Sequence, residues 1–194
     1  MLRKPQFWKS KNYKSFLLLP LSFLYFLVFF LKKSFSTSTK FPIPIVSVGN
    51  INVGGTGKTP FCIEFAKLLK KEGIKYCIVT KGYKGKLCKN KPIIVDLELH
   101  NAIDVGDEAL LLAQKSLVIA CHDKLKAVKL ATTLNPEIII IDDSLQNFFI
   151  YQDLSIIILD GYYGLGNEFM LPAGPLREPL NMALSFGMNA GNCK

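Results

Sequence analysis

The stretch Gly49-Asn-Ile-Asn-Val-Gly-Gly-Thr-Gly-Lys-Thr-Pro60 decides the fold of this chain, because it leaves an apolar run at 43–48 and enters a segment of helical period. A loop that closes backbone N–H groups on an anion needs glycine, so that no Cβ obstructs the approach; Gly54, Gly55 and Gly57 supply that freedom. In a phosphate-binding loop of this kind Asn52, Val53, Gly54, Gly55, Thr56 and Gly57 surround the anion. Lys58 reaches the β- and γ-phosphates of a nucleotide, and the Thr59 hydroxyl holds Mg²⁺. The helix that follows aims its positive end at the same point. The usual pattern G-x-x-x-x-G-K-[ST] has glycine where this chain has Asn52, a residue type that tolerates positive φ. The expectation is an ATP and Mg²⁺ site at the head of an α/β sheet.

Outward from the loop, apolar runs alternate with helix-period segments. Phe61, Phe65, Leu68 and Leu69 recur as one helical stripe that Gly73 closes. Strands are predicted at 43–48, 76–80, 93–96, 117–121, 137–141 and 154–159, and helices at about 58–72, 105–115 and 122–134. Runs this uniformly apolar are buried on both faces, which predicts a P-loop NTPase-like α/β domain with a mainly parallel sheet and helices on both faces.

The chain has 194 residues and a net charge of +9. That excess is not spread along it. Nine of its 24 basic residues precede the first acidic one, Glu64, and the remaining 15 are matched by 15 carboxylates. A nucleic-acid surface is therefore not expected; the positive charge belongs to the N-terminal segment. There, residues 16–31 carry no charge and are flanked by lysines. As one helix they would extend about 24 Å, against a hydrocarbon core of about 30 Å. The reading is an N-terminal hydrophobic membrane-associated helix that lies in one leaflet, with basic flanks on anionic lipid and Trp8, Tyr13 and Tyr25 at the interface. A short tilted span, a signal peptide and a buried core helix are its competitors. Five cysteines without a C-x-x-C pair point to a reducing compartment, and Cys62, Cys77 and Cys121 read as small core residues.

Further chemistry lies toward the carboxyl ends of the predicted strands, where open α/β sheets bind ligands. Glu137-Ile-Ile-Ile-Ile-Asp-Asp143 delivers Asp142 and Asp143 as Mg²⁺ ligands, with a solvated turn as the plainer reading. Asp107 and Glu108 open a helix and would by default complement its dipole. Leu171-Pro-Ala-Gly-Pro-Leu-Arg-Glu-Pro179 is a shaped loop in which Arg177 could face phosphate and Glu178 could hold the arginine. Lysines around Tyr83 could meet an anionic substrate.

Together these motifs resemble the tetraacyldisaccharide 4′-kinases of lipid A biosynthesis. The resemblance rests on Leu19-Pro-Leu-Ser-Phe-Leu-Tyr25, the loop 48–60, Lys81-Gly-Tyr83, Gly106-Asp-Glu108, Asp142-Asp143 with Gln146, and Gly166-Asn167 with the loop 171–179. It implies a kinase at the cytoplasmic face of the bacterial inner membrane that moves the ATP γ-phosphate to the 4′-hydroxyl of tetraacyldisaccharide 1-phosphate, giving lipid IVA. It further implies that Asp107 helps to deprotonate that hydroxyl beside Glu108, that Asp142 and Asp143 serve Mg²⁺, and that Tyr83, Arg177 and Glu178 lie near the site.

The sequence departs from the family pattern at Asn52, usually Thr; at Lys81, usually Arg; at Ser144, usually Gly; and at Asn147, often His. Residues 181–194 do not look like the family's continuation into a second lobe, so the expected organisation is a membrane-associated segment at 1–40, a kinase domain at 41–180 and an atypical tail at 181–194. The expected activity is impaired to the extent that a closing lobe is missing. A membrane-recruited ATPase switch of the partitioning type and a non-catalytic remnant are the alternatives.

Overall fold

The computed structural model describes residues 5–183, so the departure expected in the tail falls largely outside the described residues. Short 3₁₀ turns occur at Gln6–Trp8 and Leu87–Lys89. The helices are α1 (Tyr13–Leu17), α2 (Leu19–Ser34), α3 (Lys58–Lys71), α4 (Ala102–Val105), α5 (Asp107–Ala113) and α6 (Lys124–Thr133). The strands are β1 (Ile45–Gly49), β2 (Tyr76–Thr80), β3 (Ile93–Ile94), β4 (Val118–Ala120), β5 (Ile138–Asp142) and β6 (Leu154–Ile157). Two compact units form, and they interleave along the chain: residues 38–49 with 58–156, and the described parts of 1–37, 50–57 and 157–194.

The first unit carries the sheet, in the order β3-β4-β2-β5-β1-β6. β1 pairs with β5, β5 with β2 and β2 with β4, all parallel, while β3 joins the edge antiparallel to β4. The sheet is thus mostly parallel, and isoleucine and valine dominate its interior strands because branched side chains suit a pleat buried on both faces. Alternation along each strand divides the side chains between two cores. One core joins Ile45, Cys77, Val79, Ile119, Ile139 and Ile141 to Ala127, Val128 and Ala131 of α6. On the other face α3 packs against β1, β2 and β5, and α5 against β4. Cys62, Cys77 and Cys121 are fully buried, as their apolar contexts predict, and Cys88 joins them.

A helix expected to run unbroken from 105 is interrupted. Gly106 separates α4 from α5 at φ 88°. The main chain of Tyr83 comes so close there that a Cβ on Gly106 would overlap the Tyr83 carbonyl oxygen, so only glycine fits. α4 is fixed from its other end by a capping box between Asn101 and Asp104.

In the second unit the apolar run 16–31 is not one helix. It divides at Leu18, with Pro20 in the first turn of α2, where its missing N–H costs nothing. Among the described residues no helix is long and apolar enough to cross a membrane. The division of faces on α2 reverses that of an ordinary surface helix. Ser22 and Phe29 are buried, while Leu21, Phe23, Leu24, Leu27, Val28, Phe30 and Leu31 are exposed. Two of the three aromatic residues expected at an interface turn inward instead. Trp8 is 8% exposed and its indole N–H donates to the Pro172 carbonyl at 3.0 Å; the Tyr25 hydroxyl donates to the Arg177 carbonyl at 3.1 Å; Tyr13 alone of the three is 75% exposed. An aromatic residue with a polar tip serves a buried carbonyl as well as it serves a membrane interface, and composition does not separate the two.

Candidate active site

In the sheet-bearing unit the charged residues gather where β5 ends. Val48 of β1 lies opposite Asp142 of β5, and the Asp143 N–H donates to the Val48 carbonyl at 2.7 Å. Asp143 takes a positive φ of 53°, a conformation that aspartate tolerates better than most residues. The turn exposes Asp143 and leaves Asp142 buried at 3% exposure. Lys58, the first residue of α3, brings Nζ to 3.4 Å from Asp143 Oδ1. Thr59 follows it in the same first turn.

A second lysine completes this cluster. Lys124 opens α6 and is 8% exposed; its Nζ donates to the Asp142 carbonyl at 2.7 Å and to the Asp143 carbonyl. Burial lowers the Lys124 ammonium to about 8, opposed by Asp143 and Asp142 and reinforced by Lys81 and Lys58. Burial likewise pushes the Asp142 carboxyl up to about 6, opposed by Lys124, with the charges of Asp143 and Glu108 adding to the rise and Lys58 resisting it. Two opposite charges that each resist burial, held beside further carboxylates, form an arrangement set to receive a cation or a polyanion bearing one.

Sequence reasoning missed Lys124, though a signal existed. Lys124, Ala127, Val128 and Ala131 form the buried stripe of α6, so a lysine stands at an apolar position of the helical repeat. Buried lysines need partners, and here the partners are main-chain carbonyls from 18 and 19 residues later, which no residue code announces.

Three further predicted residues fall in this unit. Asp107 and Glu108 begin α5 and are exposed; the N-cap is Gly106 and no side chain caps the helix, so neither carboxylate is consumed in capping. Tyr83 is exposed, and its main chain packs against Gly106, which places the Lys81-Gly-Tyr83 loop beside the start of α5. Ser144, where the resemblance leads one to expect glycine, is buried and shares a 2.5 Å hydroxyl bond with Ser47 of β1. The extra hydroxyl is thereby satisfied.

The phosphate-loop residues 50–57 belong to the other unit. Their first part is held by main-chain bonds. The Arg177 N–H donates to the Ile51 carbonyl at 2.7 Å, the Val53 N–H donates to the Pro175 carbonyl at 2.9 Å, and Asn52 bridges antiparallel to Leu176. The Asn52 amide donates to the Gly164 carbonyl at 2.6 Å. Asn52 Oδ1 and Thr56 Oγ1 are buried without a hydrogen-bond partner, whereas buried polar groups in folded proteins are nearly always paired. Gly54 and Gly57 take positive φ, as the loop reading requires. Glu178 is buried at 1% exposure and Arg177 is half-buried.

The family model for tetraacyldisaccharide-1-P 4′-kinase, LpxK, matches residues 14–187. The chain belongs to the tetraacyldisaccharide 4′-kinase family. Membership of that family separates it from the partitioning-type ATPases, which share a similar Gly-Gly-x-Gly-Lys-Thr loop. The tetraacyldisaccharide 4′-kinase of Rickettsia canadensis is 42% identical over 180 residues, covering 93% of this chain and 54% of the relative. That of Rickettsia rickettsii (strain Sheila Smith) is 41% identical, covering 93% and 55%. LpxK from Aquifex aeolicus, crystallised in complex with ATP, is 35% identical with a TM-score of 0.73, covering 89% of this chain and 56% of that one. The chain spans about half the length of the curated relatives it matches.

Proposed function

We propose that this chain carries the nucleotide-binding half-site of a lipid kinase that transfers the γ-phosphate of ATP to the 4′-hydroxyl of tetraacyldisaccharide 1-phosphate. The observation that supports it most is the Lys58–Asp143 pair at 3.4 Å, a phosphate-loop lysine beside a strand-end carboxylate in a chain of this family. ATP fits the residues present. The loop 52–57 offers glycines at positive φ and two buried polar atoms, Asn52 Oδ1 and Thr56 Oγ1, that lack partners. Mg²⁺ fits as well, since Asp142, Asp143 and the Thr59 hydroxyl are hard oxygen donors of the kind it takes. When bound, the metal neutralises charge that develops on the transferring phosphoryl group.

The chain's own residues then divide the work. Lys58 exchanges its Asp143 contact for phosphate oxygens. Lys124 holds the peptide groups of Asp142 and Asp143, and so sets where both carboxylates stand. Asp107 and Glu108 are the carboxylates left uncommitted; in this reading Asp107 accepts the hydroxyl proton as the acceptor oxygen bonds to phosphorus and the bond to the ADP oxygen breaks. Arg177 meets phosphate, the buried Glu178 holds that arginine, and the exposed Tyr83 meets substrate. Most of the rate comes from alignment and charge neutralisation.

The exposed apolar face of α2 and its lysine flanks suit an acyl-chain substrate that stays in an anionic bilayer, on the side that has ATP. In this reading the protein works at the cytoplasmic face of the inner membrane. The test is transfer of label from [γ-³²P]ATP to the disaccharide by membranes containing this chain. The expected result is a phosphorylated lipid whose formation is lost in Lys58→Ala. Release of labelled phosphate with no labelled lipid would contradict it.

A further inference from the structure

Within the unit that contains α2, one residue touches both the lipid-facing helix and the phosphate loop. Arg177 donates its N–H to the Ile51 carbonyl at 2.7 Å and accepts the Tyr25 hydroxyl on its own carbonyl at 3.1 Å. The surrounding bonds repeat this pattern. Ser22, one turn before Tyr25 on α2, donates to the Met170 carbonyl at 2.9 Å and accepts from the Ala173 N–H at 3.0 Å. Asn167, 2% exposed, donates to the Ala173 carbonyl, the Phe7 carbonyl and the Ser15 hydroxyl. Residues 175–177 then pair with 51–53. Residues 164–178 thus form an irregular strap with one side bonded to the N-terminal helices and the other to the start of the phosphate loop.

We propose that Tyr25 is a positioning residue of the phosphate loop, acting through Arg177, and that a lipid surface on α2 therefore strengthens nucleotide binding. The proposal rests on the nucleotide reading above. The physical ground is differential order. A strap without helix or strand keeps its place through the bonds it makes on its two sides, so a ligand that fixes one side spares the second ligand part of that ordering. The lipid surface is argued from charge and shape. α2 turns its hydroxyl-bearing residues Ser22 and Tyr25 toward the strap and an apolar face outward, and it is flanked by Lys9, Lys11 and Lys14 before it and Lys32 and Lys33 in its last turn; Lys11 makes an exposed pair with Glu168 at 3.6 Å, and no acidic residue precedes Glu64 in sequence. Coupling of this kind is reciprocal, so nucleotide must tighten membrane binding by the same factor.

The test measures Mg·ATP affinity of the full chain with and without phosphatidylglycerol-containing vesicles, for the wild type, Tyr25→Phe and Ser22→Ala. Tyr25→Phe keeps the ring and removes only the hydroxyl. The wild type is expected to bind nucleotide about fivefold more tightly on vesicles, and to partition onto vesicles about fivefold more strongly with nucleotide. Tyr25→Phe is expected to partition like the wild type without nucleotide but to lose both gains. Ser22→Ala removes two of the strap's bonds to the same helix without touching Arg177, and is expected to reduce both gains by less than Tyr25→Phe does. Equal vesicle dependence in the wild type and Tyr25→Phe, wild-type affinity indifferent to vesicles, or equal loss in both variants would each overturn the proposal. Absence of saturable nucleotide binding by the wild type under any condition would overturn the nucleotide reading, and the coupling with it.

Discussion

The two units of this chain hold their candidate site residues by different means. Where β5 ends, the site is made of side-chain charge: Lys58 against Asp143, and Lys124 on the Asp142 and Asp143 carbonyls with the buried Asp142 carboxyl beside it. In the other unit, residues 51–53 are held by main-chain bonds to 175–177. The first kind fails when a side chain changes; the second fails when the backbone is made to move. That difference determines which substitutions each unit should resist.

Glycine substitutions should produce the largest effects, and in both units. A Cβ on Gly174 would overlap Asn167 Oδ1 and the Phe169 carbonyl oxygen, and one on Gly106 would overlap the Tyr83 carbonyl at a positive φ. Each alanine variant is expected to lose about 3 kcal/mol of stability in urea unfolding. If the units differ as described, Gly174→Ala should in addition weaken nucleotide binding without altering the strand-end cluster. Lys124→Met comes next. It keeps the length and apolar stem but strands two carbonyls, and is expected to cost about 2 kcal/mol; an unchanged unfolding midpoint would show that the lysine does not hold the turn.

An effect of comparable size, about 2 kcal/mol for each buried thiol by pH 10, follows pH. Burial raises the thiols of Cys77 to about 12 and Cys88 to about 11, so both stay protonated in the folded chain at pH values where the unfolded chain has begun to ionise. The folded state then binds more protons, and stability present below about pH 8.5 is lost above it, at about 1.4 kcal/mol per pH unit for each such thiol until the folded values are reached. Denaturation at pH 7.5 and 10 measures this, and Cys77→Ala should remove one thiol's share of the slope. Smallest is Ser144→Gly, which deletes the bond to Ser47 and is expected to cost about 1 kcal/mol.

The same contrast explains what could be read in the residues. The loop lysine, the paired aspartates and the apolar strands were legible because charge and hydrophobic period are properties of residue types, and the strands at 45–49, 76–80 and 138–142 fell within two or three positions of expectation. Ser144 departs from the family's usual glycine, and its hydroxyl finds a partner on β1. The shaped loop at 171–179 was legible, but its bonds to α2 and to residues 51–53 were not, because a carbonyl accepts a hydrogen bond whatever side chain it carries. Tyr25 and Trp8 looked like interface residues for the same reason: their partners are the carbonyls of Arg177 and Pro172, which the residue code does not distinguish from solvent.

Nucleotide binding is proposed for a phosphate loop that ends in Lys58 and takes Mg·ATP. Isothermal titration of the full chain with Mg·ATP tests this most directly, with Lys58→Ala alongside it. The expected result is one saturable site in the wild type and at least about a hundredfold weaker binding in the variant, consistent with removal of a charge directed at phosphate. Equal affinity in the two proteins would contradict it.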